Sequence, residues 1–357
     1  VTDPYTIALV ICEGRVILTF TIDRTRAELD DMVKRFRLPF QEGGSPTTLD
    51  PLLSKELTDL LLQPALSALP RDTHLIIIPD ESLSLIPFEA LVLSPPATYA
   101  MDAYPISYYQ SASVLSLHRG LTINRTKEST FFGLGDPVFD TQDTRTAQLR
   151  SISVVGKDVI EGSEGPGYRF PRLPNTEKEI NEVGKLFAHP LMFLGPDASE
   201  AKLKQEDLTS RRYLLFSTHG VLGNELPYLR QPALVLNLIG NENEDGFLTA
   251  TEIFNLNLNA DLIGLSACKT GLGIQSAGEG VVGLSRAFMY AGTDSVLMSL
   301  WSVADESTYL LMVKFFEGLK NNKDKLTALI DAKNHLRKNG YENPFYWASF
   351  ILMGETR

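Results

Sequence analysis

Two stretches of the chain are built alike. Leu262-Ile263-Gly264-Leu265 is a short apolar run that gives way to Ser266-Ala267, reaches Cys268, and is followed by Lys269-Thr270-Gly271. Tyr213-Leu214-Leu215-Phe216 is a matching run that leads through Ser217-Thr218 to His219-Gly220. Short apolar runs bounded by turn residues read as buried strands. Each would then end on one reactive side chain among small neighbours. In a parallel sheet the carboxyl ends of the strands share one edge, the edge where α/β proteins bind ligands. Cys268 and His219 can therefore meet without being close in sequence.

The rest of the chain keeps to this pattern. Residues 6–11 and 15–22 flank Cys12-Glu13-Gly14 as a β-hairpin. Residues 25–37 carry Leu29, Met32, Val33 and Phe36 at helical spacing. Gln41 to Thr48 is loop chemistry, and leucines at helical spacing follow from Leu52 to Leu69, interrupted by Pro64. Strands are expected at His74–Ile78, Ile106–Tyr109 and Phe131–Gly135, with short helices between them. From Thr141 to Arg172 the periodicity dissolves into a stretch containing Gly162-Ser163-Glu164-Gly165-Pro166-Gly167. This sets a boundary, with residues 1–140 and 173–357 as two halves and 141–172 as a linker or insert. The second half opens on a helix to about Phe187, capped by Asn175 or Thr176. It continues as alternating strands and helices to an aromatic tail, Pro344 to Phe350, that reads as core packing. Alternation of this kind indicates α/β layers.

Composition narrows the function classes. The chain has 357 residues, 43% of them hydrophobic, and a net charge of −11. That acidity argues against nucleic-acid binding, which needs a basic face. No run of about 18 apolar residues offers a membrane span. The chain opens on Val1-Thr2-Asp3-Pro4, with neither Met nor a signal-peptide pattern, so it is expected to begin inside a longer protein. Its two cysteines, Cys12 and Cys268, form no disulfide framework, which fits a reducing, cytoplasmic setting. Cys12, in a strand-like run, reads as an inert core thiol.

Cys268 and His219 suit covalent catalysis. The thiolate is the nucleophile, and an imidazole nearby can take the thiol proton and return it to a leaving amine. The backbone N–H groups of Gly220 and Cys268 are the candidate donors to an oxyanion. A cysteine with a histidine about 50 residues upstream is the caspase spacing. The same two residues also suit a plain structural role, a small buried thiol and a turn histidine. His74, His118, His189 and His335 have no such partner and read as structural. Gly278-Glu279-Gly280-Val281-Val282-Gly283 has the spacing of a dinucleotide fingerprint, but the preceding strand ends about a dozen residues too early. A glycine hinge beside the site fits better. No Gly-x-Ser-x-Gly elbow and no zinc-ligand spacing occurs.

A series of stretches then resembles one family. They are His74–Asp80 with Leu85–Leu91, Thr218-His219-Gly220, Asp245–Ile253, Leu265–Gly271, Gly278-Glu279-Gly280, Ala287–Gly292, Ser299–Asp305 and Tyr346–Gly354. In this order they resemble the CHAT family, caspase-like peptidases related to separase. The resemblance implies two caspase-like α/β units with mainly parallel central sheets, the second carrying the catalytic pair. It implies His219 as general base and acid and Cys268 as nucleophile. A peptide bond in a protein partner would be cut through an acyl-enzyme, with neither metal nor cofactor. Helical repeats upstream would gate the site. Asp305 resembles the acidic position with which separase holds a basic P1 side chain, while Ser302 stands where separase-type sequences have another acid. Ser302 and Glu279 would lie beside Asp305 as substrate contacts. Asp305 equally suits an N-cap of the helix that follows it. Two other readings stay open: a scaffold or regulatory module that keeps the fold without cleaving, and a nucleotide-binding α/β protein.

Overall fold

The computed structural model describes residues 5–40, 49–94, 98–120, 128–146, 169–241, 243–268, 279–302 and 304–357, and for residues 146, 267, 268 and 279–282 the backbone alone. The expected Gln41–Thr48 loop, most of the 141–172 insert and the hinge at Gly278 lie outside them. Fourteen strands are described: β1 (Thr6–Cys12), β2 (Arg15–Ile22), β3 (Leu75–Ile77), β4 (Val92–Ser94), β5 (Thr98–Tyr99), β6 (Ile106–Tyr108), β7 (Phe131–Gly135), β8 (Leu191–Leu194), β9 (Tyr213–Val221), β10 (Ala233–Val235), β11 (Phe247–Thr249), β12 (Leu262–Cys268), β13 (Ser295–Ser299) and β14 (Phe350–Gly354).

Ten of these strands make one mixed sheet. Its main path runs β11-β10-β9-β12-β13-β14-β6-β3, and β7 lies against both β8 and β9. The pairings of β9 with β12, β12 with β13, β14 with β6, and β7 with β8 and β9 are parallel. Those of β10 with β9 and β11, and of β13 with β14, are antiparallel. The fold is α/β. Strands from both sides of the expected boundary share this sheet: β3 and β6 extend it beyond β14, and β7 sits beside strands that follow residue 172.

Side-chain spacing explains the helices. Thr25 and Glu28 form a capping box that starts the Arg26–Arg37 helix, which buries Leu29, Met32, Val33 and Phe36 along one stripe. Phe40, just past that helix, stacks on Trp301 with ring centroids 4.2 Å apart. The Pro174–Gly184 helix presses on β7, where a Cβ on Gly133 or Gly135 would come within 2.8 or 2.6 Å of the Ile180 side chain. Only glycine admits so close an approach. The expected cap at Asn175 or Thr176 does not form. Pro174 occupies the first turn, the N-cap position falls to Leu173, and no side chain on the segment itself bonds the helix start there. The aromatic tail is core, with Trp347 and Phe350 fully buried.

Cys12 is a correction. It is a free, exposed cysteine rather than a core thiol. Hairpin β1–β2 forms a separate two-stranded sheet, and Ile7, Leu9 and Ile11 on β1 stay exposed because nothing described covers that face. Among the described residues, no helix is long and apolar enough to cross a membrane.

Candidate active site

β9 and β12 run parallel from Tyr213 opposite Leu262 to His219 opposite Cys268. Neighbouring strands lie ~4.8 Å apart, so this register makes the two backbones direct neighbours. Both residues are still inside strands. β9 continues to Val221 because β10 takes over as its neighbour beyond β7, with Val235 opposite His219 and Leu234 opposite Gly220. Gly220 is thus a strand residue rather than a turn. The Thr218 hydroxyl donates to the Val235 carbonyl and fastens this junction.

The His219 side chain is 6% exposed. Its ring lies between Phe139 and Phe170, with centroids 5.2 and 5.5 Å away. Nε2 sits 2.7 Å from the Pro171 carbonyl oxygen. A carbonyl only accepts, so Nε2 carries a proton, and the neutral tautomer that keeps this contact has its lone pair at Nδ1.

The segment bearing Pro171 is itself anchored. Arg172 reaches Asp136, at the end of β7, through Nε at 2.9 Å and Nη2 at 2.7 Å. Asp136 is 3% exposed and also receives Arg145. That pairing holds the Arg172 guanidinium above its usual range, the hydrogen bond to Asp136 being the main cause. The backbone N–H of Asp136 donates to Thr176 Oγ1. A planar guanidinium on a buried carboxylate fixes both position and angle.

Asp305 is the first residue of the Asp305–Lys320 helix, and Ala304 holds the N-cap position without a side-chain bond. Instead, Asp305 Oδ2 accepts from the Asn175 backbone N–H at 3.0 Å, so it caps the Pro174–Gly184 helix from across the fold. Ser302 is half-buried beside Trp301. That turn is tied to the amino-terminal helix, because buried Arg37 donates to the Leu300 carbonyl at 2.8 Å. Glu279 begins the Glu279–Ala291 helix, and its side chain lies outside the described residues.

Sequence reasoning missed Glu179. It is 1% exposed on the Pro174–Gly184 helix and accepts from Ser266 Oγ at 3.1 Å. Burial pushes its carboxyl up to about 8, and the Asp305 charge acts in the same direction. The missed signal was spacing: Glu179 stands three residues after Thr176 and four before Val183, on the buried stripe of its helix. Elsewhere, Glu200, Glu244 and Glu252 lie close enough together to suggest a cation site. Lys204 Nζ already sits among them, at 3.2, 2.6 and 2.8 Å.

Tetratricopeptide repeat protein 28 of Mus musculus is 22% identical over 338 residues, an alignment that covers 84% of this chain and 13% of the mouse protein. The chain therefore spans a small part of that relative. Among solved structures, the Saccharomyces cerevisiae separase–securin complex is similar with a TM-score of 0.43 and 16% identity, covering 79% of this chain and 15% of that one. The Arg-specific cysteine proteinase gingipain R is similar with a TM-score of 0.44 and 10% identity, covering 71% of this chain and 54% of that one. The CHAT domain model matches residues 52–355, nearly the whole length, and the chain belongs to the CHAT domain family.

Proposed function

We propose that the chain is a cysteine endopeptidase domain that uses Cys268 and His219. The observation that carries this is their register, opposite one another on adjacent parallel strands. Register partners share one face of a sheet. The Pro171 carbonyl, by holding Nε2–H, favours the tautomer whose Nδ1 can take the thiol proton.

The Cys268 sulfur attacks the peptide carbonyl carbon as His219 takes its proton. The C–N bond then breaks, and that proton leaves on the amine. A thioester to Cys268 remains. Water, deprotonated by His219, attacks the thioester and releases the carboxylic acid, and the thiol recovers its proton. Oxyanion donation falls to the backbone N–H groups of Gly220 and Cys268. A preference for Arg or Lys before the cut bond is the finer part of the proposal and rests on Asp305, with Ser302 and Glu279 as further substrate contacts. Asp305 keeps lone pairs beyond the one that Asn175 uses. The mouse relative is named for tetratricopeptide repeats, which supports a repeat segment or repeat-bearing partner as the gate. A reducing, cytoplasmic setting suits the thiol.

A second reading, a CHAT-fold scaffold or regulatory module that does not cleave, is favoured by the burial of His219 between Phe139 and Phe170. Incubation with a library of basic-P1 and other fluorogenic peptides, and alkylation of the thiols followed by peptide mass spectrometry, separates the two. A peptidase cuts only with Cys268 and His219 intact, and Cys268 labels faster than exposed Cys12. Equal labelling of the two cysteines, unchanged by His219→Ala, assigns the scaffold role.

A further inference from the structure

Ser217 and Ser266 are opposite one another in the β9–β12 register, two residues before His219 and Cys268. Both are buried, and Glu179 reaches them from the Pro174–Gly184 helix. Glu179 Oε2 accepts from Ser266 Oγ at 3.1 Å. Ser217 Oγ is near enough to act on the carboxyl, yet among the described residues neither it nor Glu179 Oε1 has a hydrogen-bond partner as placed. Each is a buried polar atom left without a partner, and each such atom is costly.

One proton joins them. A carboxylic acid donates from Oε1 to Ser217 Oγ while Oε2 accepts from Ser266 Oγ. Burial, foremost, and the Asp305 charge favour that neutral form and outweigh the two serine hydroxyls, which act in the opposite direction. Asp305 acts on Glu179 as a negative charge, Phe131–Gly135 of β7 and Leu191–Leu194 of β8 contain no ionisable side chain, and a buried carboxylate without a counter-charge is strongly disfavoured.

We propose that Glu179 is a positioning residue, a neutral buried acid that bridges Ser217 to Ser266 and thereby fixes β9 against β12 just short of His219 and Cys268. Its functional consequence rests on the cysteine-peptidase reading. A hydrophobic side chain of similar size fills the same space but cannot bridge the strands. An amide can, because its oxygen accepts from Ser266 and its N–H donates to Ser217.

The test is alkylation of the whole chain by iodoacetamide at pH 7, with Cys12 as the internal reference and thermal melting recorded for each variant. Glu179→Gln is expected to label Cys268 within about threefold of wild type. Glu179→Leu is expected to stay folded, with a lower melting temperature from the two unpaired serine hydroxyls, and to label Cys268 at least about tenfold more slowly, with Cys12 unchanged. A merely structural role predicts that a well-folded Glu179→Leu labels like wild type, and that result overturns the proposal. So does a Glu179→Gln variant as slow as Glu179→Leu. Should Glu179→Leu not fold, the Ser217→Ala/Ser266→Ala double variant decides: slowed labelling supports the bridge and wild-type labelling refutes it. His219→Ala is the control for the underlying reading. If it leaves Cys268 unaffected, the catalytic pair itself fails. If it slows Cys268 while Glu179→Leu does not, only the bridge fails.

Discussion

Lys333 and Glu89 form an ion pair in the interior, with Nζ 3.1 Å from Oε1 and side chains 2% and 4% exposed. The Tyr108 hydroxyl donates to the same carboxylate. The pair joins the Lys325–Lys338 helix to the turn before β4, and so binds residues of the first half to residues of the second. Removing one member leaves the other charged and buried. Lys333→Met should lose roughly 3–5 kcal/mol in urea unfolding, and Lys333→Met with Glu89→Leu should regain most of it. A single variant as stable as wild type would contradict the pairing.

The Asp136–Arg172 contact should matter to His219 more than to the fold. Arg172 is about half exposed and Asp136 keeps Arg145, so Arg172→Ala should lower stability by only about 1–2 kcal/mol. The Pro171 carbonyl loses its anchor, and alkylation of Cys268 should slow several-fold. Arg172→Lys should not restore it, because an ammonium cannot span both carboxylate oxygens. Full recovery by lysine would show that charge alone suffices.

Glu179 should leave a mark on stability against pH. Its carboxyl titrates near 8 in the fold and near 4.5 when unfolded. The folded chain therefore holds a proton that the unfolded chain releases across that window. Stability from this group is complete below about pH 4.5 and is lost as pH rises towards 8. Glu179→Gln cannot titrate. Between pH 5 and 8 wild type should lose stability relative to that variant by an amount on the order of a few kcal/mol, measured by urea unfolding. Parallel curves would mean that the carboxyl is not held neutral.

Gly354 ends β14 at a φ of +107°, opposite Ser295, where a Cβ would stand 2.2 Å from the Asp294 carbonyl oxygen. Gly354→Ala should therefore cost at least about 2 kcal/mol through strain and collision. A melting temperature unchanged from wild type would mean that the β13–β14 edge can yield.

Local chemistry was readable in the sequence. Glu13-Gly14 between two apolar runs marks the first hairpin, and both residues adopt the positive φ that such a turn requires. Thr249 and Glu252 stand at capping-box spacing and form that box. The strands ending near His219 and Cys268 could be anticipated from their apolar runs, but their register could not, since a slip of one residue preserves every local propensity. Partnerships across the fold were equally hidden. Asp305 and Asn175 are 130 residues apart, and nothing near either one announces the other. The burial of Glu179 was partly legible in helical spacing, whereas the exposure of Cys12 was not. Its strand pattern is that of a core strand, yet its hairpin pairs only with itself and stands apart from the ten-stranded sheet.

The placement of β7 has a further outcome. It pairs with β9 over five residues, from Phe131 opposite Tyr213 to Gly135 opposite Ser217, and with β8 on its other flank. A backbone break anywhere between Arg145 and Arg169 would thus yield two polypeptides woven into one sheet. They should elute as a single species from a sizing column and separate only when denatured, so a nicked molecule would keep His219 and Cys268 on the same fragment and in the same particle.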